Sequence, residues 1–185
     1  RIPGQWGRRI AMAWTGLSLL VALALGPWGF GAAALGLALA WAYSAPPLRL
    51  KRNGWWGNAA CAVSYEGLAW ITGAAVMLGG QLPPAPSLWL AALYSVGAHG
   101  IMTLNDFKSI TGDRRMGIAS LPVQLGVHGA ARLTCVVMAL PQLVVAGSFH
   151  SGAGMTQRQF NLFMDTTVEA AGRLATACEQ LNYLY

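Results

Sequence analysis

The stretch LNDFKSITGDRRMGIASLPVQLG, residues 104–126, decides how this chain is read. The apolar run SLWLAALYSVGAHGIMTL, residues 87–104, leads straight into it, and a second apolar run, Val127 to Phe149, comes after it. It carries two of the six acidic residues, Asp106 and Asp113, and three of the twelve basic ones, Lys108, Arg114 and Arg115. Charge at the end of a membrane-type segment is costly unless water, an ion or a ligand meets it, so these groups are candidates for function. Two carboxylates with no Cys or His beside them suit a hard, oxygen-ligated cation, Mg²⁺ before Zn²⁺. Mg²⁺ held by few carboxylates completes its shell with phosphate oxygens and water, and the adjacent arginines suit the remaining phosphate charge. On spacing alone, a solvated basic loop with two counter-charges is an equal reading.

The surrounding composition is that of an integral membrane protein. Hydrophobic residues make up 55% of the 185 and charged ones only 10%, against roughly 25% charged in soluble domains. The net charge of +6 does not point to nucleic acid, because the basic residues sit between apolar runs and form no aromatic-interleaved patch. Cys61, Cys135 and Cys178 are scattered, without metal or redox spacing, and read as small apolar fillers. Five apolar runs are expected to cross a bilayer: Ile10 to Leu25, Trp28 to Tyr43, Trp55 to Leu78, Ser87 to Leu104 and Val127 to Phe149. The first two are joined only by the break at Gly26-Pro27, which predicts a tight helical hairpin. The connections alternate strictly. Arg8/Arg9, Arg49/Lys51/Arg52 and Lys108/Arg114/Arg115 fall on one side, while Gly26 to Trp28 and Gly79 to Ser87 fall on the other and carry no charge. The positive-inside rule then places the Asp-bearing loop in the cytoplasm, on one face with the loop SAPPLRLKRNG, residues 44–54.

The motif words are more specific than their charges. NDFKSITGDRRMGIASLPVQLG resembles the second Asp-rich motif of the UbiA-type membrane prenyltransferases, and within them the chlorophyll and bacteriochlorophyll synthases. Asn105, Asp106, Phe107, Lys108, Gly112, Asp113, Arg114, Gly117 and Ser120 to Val123 carry the likeness. Tyr43 to Leu50, Lys51 and Asn53 to Trp55 are similar to the synthases' Tyr-Ser-Ala-Pro-Pro-Leu stretch and its continuation. One position departs: Thr111 stands where the family has Glu, so one carboxylate fewer is expected in the metal shell.

The resemblance implies an all-α polytopic transmembrane helical bundle, partial, over residues 1–150, with an amphipathic helical tail of unclear origin over 151–185. Arg1-Ile2-Pro3-Gly4 is similar to the segment that comes after the family's first Asp-rich motif, so that motif and two helices are expected to precede it, and the chain alone is expected to be inactive. The implied reaction is transfer of a geranylgeranyl or phytyl group from its diphosphate to the propionate of bacteriochlorophyllide or chlorophyllide. The implied metal is Mg²⁺, on Asp106 and Asp113 with Asn105 orienting water, and Lys108, Arg114, Arg49 and Lys51 are implied to meet the diphosphate. The implied setting is a bacterial inner, photosynthetic membrane with its lipid and assembly partners. A quinone or haem prenyltransferase, or a non-catalytic pigment-binding subunit, stands as the alternative.

Two further residues invite a role near the pigment. Glu66 is the only acid inside an apolar run; it faces a cavity, a partner or a pigment, or sits protonated in an interhelical hydrogen bond. His99 lies seven residues before Asp106, on the same helix face, and reads either as near substrate or as an interhelical hydrogen bond. His128 and His150 sit at run ends and read as interfacial, and Tyr65 and Tyr94 are hydroxyl donors that the sequence does not rank.

Overall fold

The computed structural model describes residues 4–152. All but the first two residues of the expected tail, and with them Cys178, lie outside the described residues. Among the described residues the fold is helical, with one isolated parallel bridge, Asn53 to Ala119, and no strand. The helices are α1 (Gly4–Ala22), α2 (Gly26–Ser44), α3 (Gly54–Ala62), α4 (Leu68–Met77), α5 (Ala85–Phe107), α6 (Ile110–Met116) and α7 (Leu121–Gly152).

Four stretches are long and apolar enough to cross a membrane: Gln5–Ser44, Gly54–Met77, Ala85–Phe107 and Leu121–Gly147. The first is 40 residues long and is folded double. Gly26 takes φ 77°, open to glycine, and Trp41 Nε1 on α2 donates back to Thr15 Oγ1 on α1 at 3.0 Å. The two arms have 19 residues each, about 28 Å at 1.5 Å per residue. The expected hairpin is therefore present, and its two arms with the other three stretches give five helical segments of the length and composition that a crossing needs.

The packing is inside out relative to a water-soluble bundle. The buried hydrophobic residues are alanines apart from Leu68 and Leu121, while Trp14, Leu20, Trp89 and Val136 are each more than 60% exposed. Lipid tails are as apolar as leucine, so large side chains gain little by turning inward, and close backbone approach through small residues drives association instead. The α5–α7 seam illustrates this. A Cβ on Gly100 would lie 2.5 Å from Met138 Cγ and 3.3 Å from the Thr134 carbonyl oxygen.

The connections sort to two ends, as their charges predict. At the uncharged end Gly26 and Gly80 touch; a Cβ on Gly26 would sit 2.7 Å from Gly80 Cα. At the charged end the Gly54 amide donates to Ala119 O (2.7 Å) and the Ala119 amide to Arg52 O (2.9 Å), tying the basic loop to the motif. Arg8 lies at this end too, lining a cleft with Ser44 and Ala45.

Three local features depart from the expected pattern. The motif is a short helix, α6, rather than a loop. Gly117 in the left-handed region (φ 64°) closes it, with the Ile118 amide reaching Asp113 O at 2.9 Å. The fifth run starts six residues early, at Leu121, with a kink at Gly126 (φ 71°, ψ 166°). The third run is broken by a π-helical turn, Val63–Gly67, between α3 and α4. Such turns insert a residue and rotate the remainder of the helix, and they occur frequently at functional sites.

Candidate active site

The site forms where α3, α5, α6 and the start of α7 meet at the charged end. Asn53 sets its first wall. Its side-chain oxygen accepts from the Trp55 amide (2.9 Å) and the Trp56 amide (3.4 Å), which caps α3 and stabilises it by about 1 kcal/mol. One turn on, Asn58 points into the bundle. Its Nδ2 donates to Asp106 Oδ2 at 3.0 Å and to Thr103 Oγ1 at 3.3 Å. Thr103, fully buried, donates in turn to the His99 carbonyl at 2.9 Å. The Leu121 amide, first in α7, supports the same Asp106 carboxylate.

Asp113 comes from α6 and is buried, only 7% exposed. The Ser109 hydroxyl lies 2.8 Å from Asp113 Oδ2 and 3.1 Å from the Asp106 carbonyl oxygen, so its single proton ties the acid of α6 to the last turn of α5. The two carboxylates are close enough for their charges to interact. Each uses Oδ2 for its bond to Asn58 or Ser109. Among the described residues no group of three or more His, Cys, Asp or Glu gathers. That donor set fits a hard divalent ion taking two carboxylates and completing its shell from water and phosphate, and does not fit a structural zinc site.

The other expected site residues divide by location. Lys108 is exposed and its Nζ donates to Asn105 Oδ1 at 3.2 Å, so the two side chains are paired on the rim. Arg114 is exposed on the last turn of α6. Arg49 and Lys51 are exposed on the loop bridged to Ala119, with Arg49 in the left-handed region (φ 44°). Thr111 is exposed two residues before the buried Asp113, and two residues on a helix span about 200°. Thr111 thus lies on the other side of α6 from Asp113.

His99 shares the Asp106 face, as expected. Its Nε2 lies 3.3 Å from the Trp55 carbonyl oxygen, and its ring sits 6.1 Å from the Trp55 ring. It lines an apolar groove of about 590 Å³ that runs between α5 and the α3–α4 span, past Ser95 and Ala91 to Leu88 and Ile71. Glu66 lines a different cavity, of about 330 Å³, between α5 and α7. The structure thus separates two residues that the sequence placed on one pigment side.

Asn58, Ser109 and Thr103 were not among the expected site residues. Asn58 was legible in part, as an amide inside an apolar run where polar side chains need a partner. Ser120 is buried and its hydroxyl has no hydrogen-bond partner.

The model of the UbiA prenyltransferase family matches residues 1–156. The chain is 57% identical over 148 residues to the bacteriochlorophyll synthase 33 kDa chain of Cereibacter sphaeroides, covering 78% of this chain and 48% of that protein. It is 52% identical over 144 residues to the 34 kDa chain of Chloroflexus aurantiacus, covering 76% and 44%. Against the chloroplastic chlorophyll synthase of Oryza sativa subsp. japonica it is 46% identical over 116 residues, covering 63% and 30%. The chain spans about half the length of the bacterial relatives it matches. No solved structure matches. With a family model matched over most of its length and an Asp pair set at one end of a bundle of membrane-spanning helices, the chain belongs to the UbiA prenyltransferase family.

Proposed function

We propose that this chain carries the diphosphate-handling half of a prenyl transfer that esterifies the propionate of bacteriochlorophyllide with a geranylgeranyl or phytyl group. The observation that carries the reading is the Asp106–Asp113 pair, held by Asn58 and Ser109, two turns along α5 from His99, which lines an apolar groove. A prenyl diphosphate has that shape: an anionic head on a long apolar tail. The groove face of α5, through Leu88, Ala92, Ser95 and His99, continues in line to Asp106. The tail lies in the groove and the head meets Asp106 and Asp113. Asp106 and Asp113 would hold Mg²⁺, with Asn105 orienting water beside them, and the ion would supply charge neutralisation for the departing diphosphate.

This chain's own cations do the rest. Lys108 and Arg114 from the motif, and Arg49 and Lys51 from the bridged loop, meet phosphate oxygens as charge builds on the leaving group. The C1–O bond of the prenyl diphosphate breaks with its electron pair going to the diphosphate, and a carboxylate oxygen of the pigment forms the new C–O bond. The dry groove walls keep water from capturing the allylic cation first. The bacterial synthase chains, at 57% and 52% identity, favour bacteriochlorophyllide over chlorophyllide, since the plant enzyme stands at 46%. The charged end faces the cytoplasm of a photosynthetic inner membrane by the positive-inside rule.

The test is esterification of bacteriochlorophyllide in membranes that hold this chain together with the N-terminal segment of the bacterial relatives it matches, supplied with geranylgeranyl diphosphate and Mg²⁺. Asp113→Asn keeps the shape and the Ser109 contact but removes the charge, and is expected to lower the rate at least 100-fold at unchanged membrane level. Wild-type rates from Asp113→Asn would refute the assignment.

A further inference from the structure

The sequence contains one carboxylate far from either end of a span. Glu66 lies eight residues beyond Asn58, about 12 Å further into the bundle at 1.5 Å per residue. Its side chain has no hydrogen-bond partner among the described residues. Carboxylates at such depth are expensive and are retained where they bind something.

The π turn determines which cavity Glu66 sees. Trp55, Ala59, Val63, Gly67 and Ile71, spaced by four, all line the prenyl groove. In a regular α-helix each step of four would drift about 40° and the row would leave the groove. The wider turn at Val63–Gly67 cancels part of that drift. It holds the row in place and leaves Glu66 out of the groove and in the second cavity. There Glu66 meets Tyr94, Gly97 and Ile101 of α5 and Pro141 and Gln142 of α7. Tyr94 is stacked on Trp70 (centroids 5.2 Å, planes 21° apart), giving the cavity a flat aromatic wall. Tyr94, Ala98 and Ile101 lie on the face of α5 that leads to Asn105, beside Asp106.

We propose that this second cavity opens onto the face of the acceptor tetrapyrrole and that the Glu66 carboxylate is the axial ligand of the ring's magnesium. The inference rests on the bacteriochlorophyllide reading above and deepens it. The magnesium of such a ring has an open axial position and prefers hard oxygen donors, and Glu66 is an unpaired oxygen donor within an apolar wall. The depth of Glu66 below Asp106 is comparable to the reach from the ring's metal to its propionate carboxyl. A ring held there points that carboxyl up the Ile101–Asn105 face toward the prenyl diphosphate. Two substrates then approach from opposite faces of α5, one per cavity.

The experiment measures binding without prenyl diphosphate, so no turnover is needed. The full chain in detergent is titrated with bacteriochlorophyllide and with its magnesium-free counterpart, recording affinity and the visible band that responds to axial coordination. Wild type is expected to bind the magnesium form at least tenfold more tightly and to shift that band. Glu66→Leu, which makes membrane insertion easier, is expected to abolish the preference while leaving binding of the metal-free ring within twofold. Glu66→His, which supplies a nitrogen ligand, is expected to restore the preference. An unchanged magnesium preference and band in Glu66→Leu would overturn the ligand assignment while leaving prenyl transfer to the pigment standing. Loss of the preference in His99→Leu instead would move the ring to the other groove and overturn it as well. No binding of either ring by wild type would sink this proposal and the pigment reading together.

Discussion

Replacing Asn58 by leucine isolates what the buried amide does for Asp106. The substitution keeps side-chain volume close and removes two donated bonds, at 3.0 Å to Asp106 Oδ2 and 3.3 Å to Thr103 Oγ1. A hydrogen bond to a charged group contributes about 1.5–3 kcal/mol, and the longer neutral one about 0.5 kcal/mol. Thr103 keeps its bond to the His99 carbonyl, so the seam itself survives. The loss therefore falls on the position and charge of Asp106. At about 1.4 kcal/mol per factor of ten, the Mg²⁺ concentration for half-maximal prenyl transfer should rise roughly 10- to 100-fold. Initial rates at graded Mg²⁺, in membranes matched for protein level, measure it. Thr103→Val serves as control: it removes Thr103's acceptor and its bond to the His99 carbonyl while keeping the Asp106 bond, and should raise the Mg²⁺ requirement no more than about threefold, since only the Asn58 bond of about 0.5 kcal/mol bears on Asp106. An Asn58→Leu variant with a wild-type Mg²⁺ profile would show that this amide has no part in the metal site.

Three further outcomes are expected. Thr111→Glu should leave the Mg²⁺ requirement unchanged, because position 111 is exposed on the far side of α6 from Asp113; a lower requirement would show that α6 is rotated from its position here. Gly54→Ala puts a Cβ 2.5 Å from the Leu121 amide nitrogen; overpacking of this kind costs about 1–3 kcal/mol. It should open the Asn53–Ala119 bridge and lower prenyl transfer about tenfold while the protein stays in the membrane, which rate and membrane-yield measurements on the same preparation would check. In a cysteine-free background, Asn53→Cys and Ser109→Cys should label from the cytoplasm and Gln81→Cys from the other side; labelling of Asn53→Cys and Gln81→Cys from one side would refute the topology.

The spans and their ends were legible because they depend on composition and length, which a bilayer reads almost directly. Gly26-Pro27 marked the hairpin and the basic residues marked one end. The Asp pair was legible as words, through Asn105-Asp106 and Gly112-Asp113. Its supports were not, because Asn58 meets Asp106 across 48 residues of sequence. The π turn left no local trace either. In an all-apolar run such as α4, LAWITGAAVM, there is no polar stripe whose phase could reveal a register shift. Glu66 and His99 each read as near the pigment, and they line different cavities on opposite faces of α5.

The position of the Asp pair reflects the cost of charge in lipid. Asp113 is nearly as buried as any alanine of the core, yet it sits on α6 at the charged end, where the carboxylate is reached by Ser109. A carboxylate there lies at the margin of water, where a divalent ion can match it. The apolar groove needs no such margin and extends inward from the same face of α5. On the prenyl-transfer reading proposed above, head site and tail groove stack on one helix face, and a single row of side chains, from Leu88 to Asp106, would set both the depth of the prenyl chain and the place where its C1–O bond breaks. Glu66 is the one acid placed against this gradient, and the π turn that carries it also keeps the groove wall straight. Straightening that turn by deleting a residue would therefore disturb both cavities together, whereas Glu66→Leu changes only one.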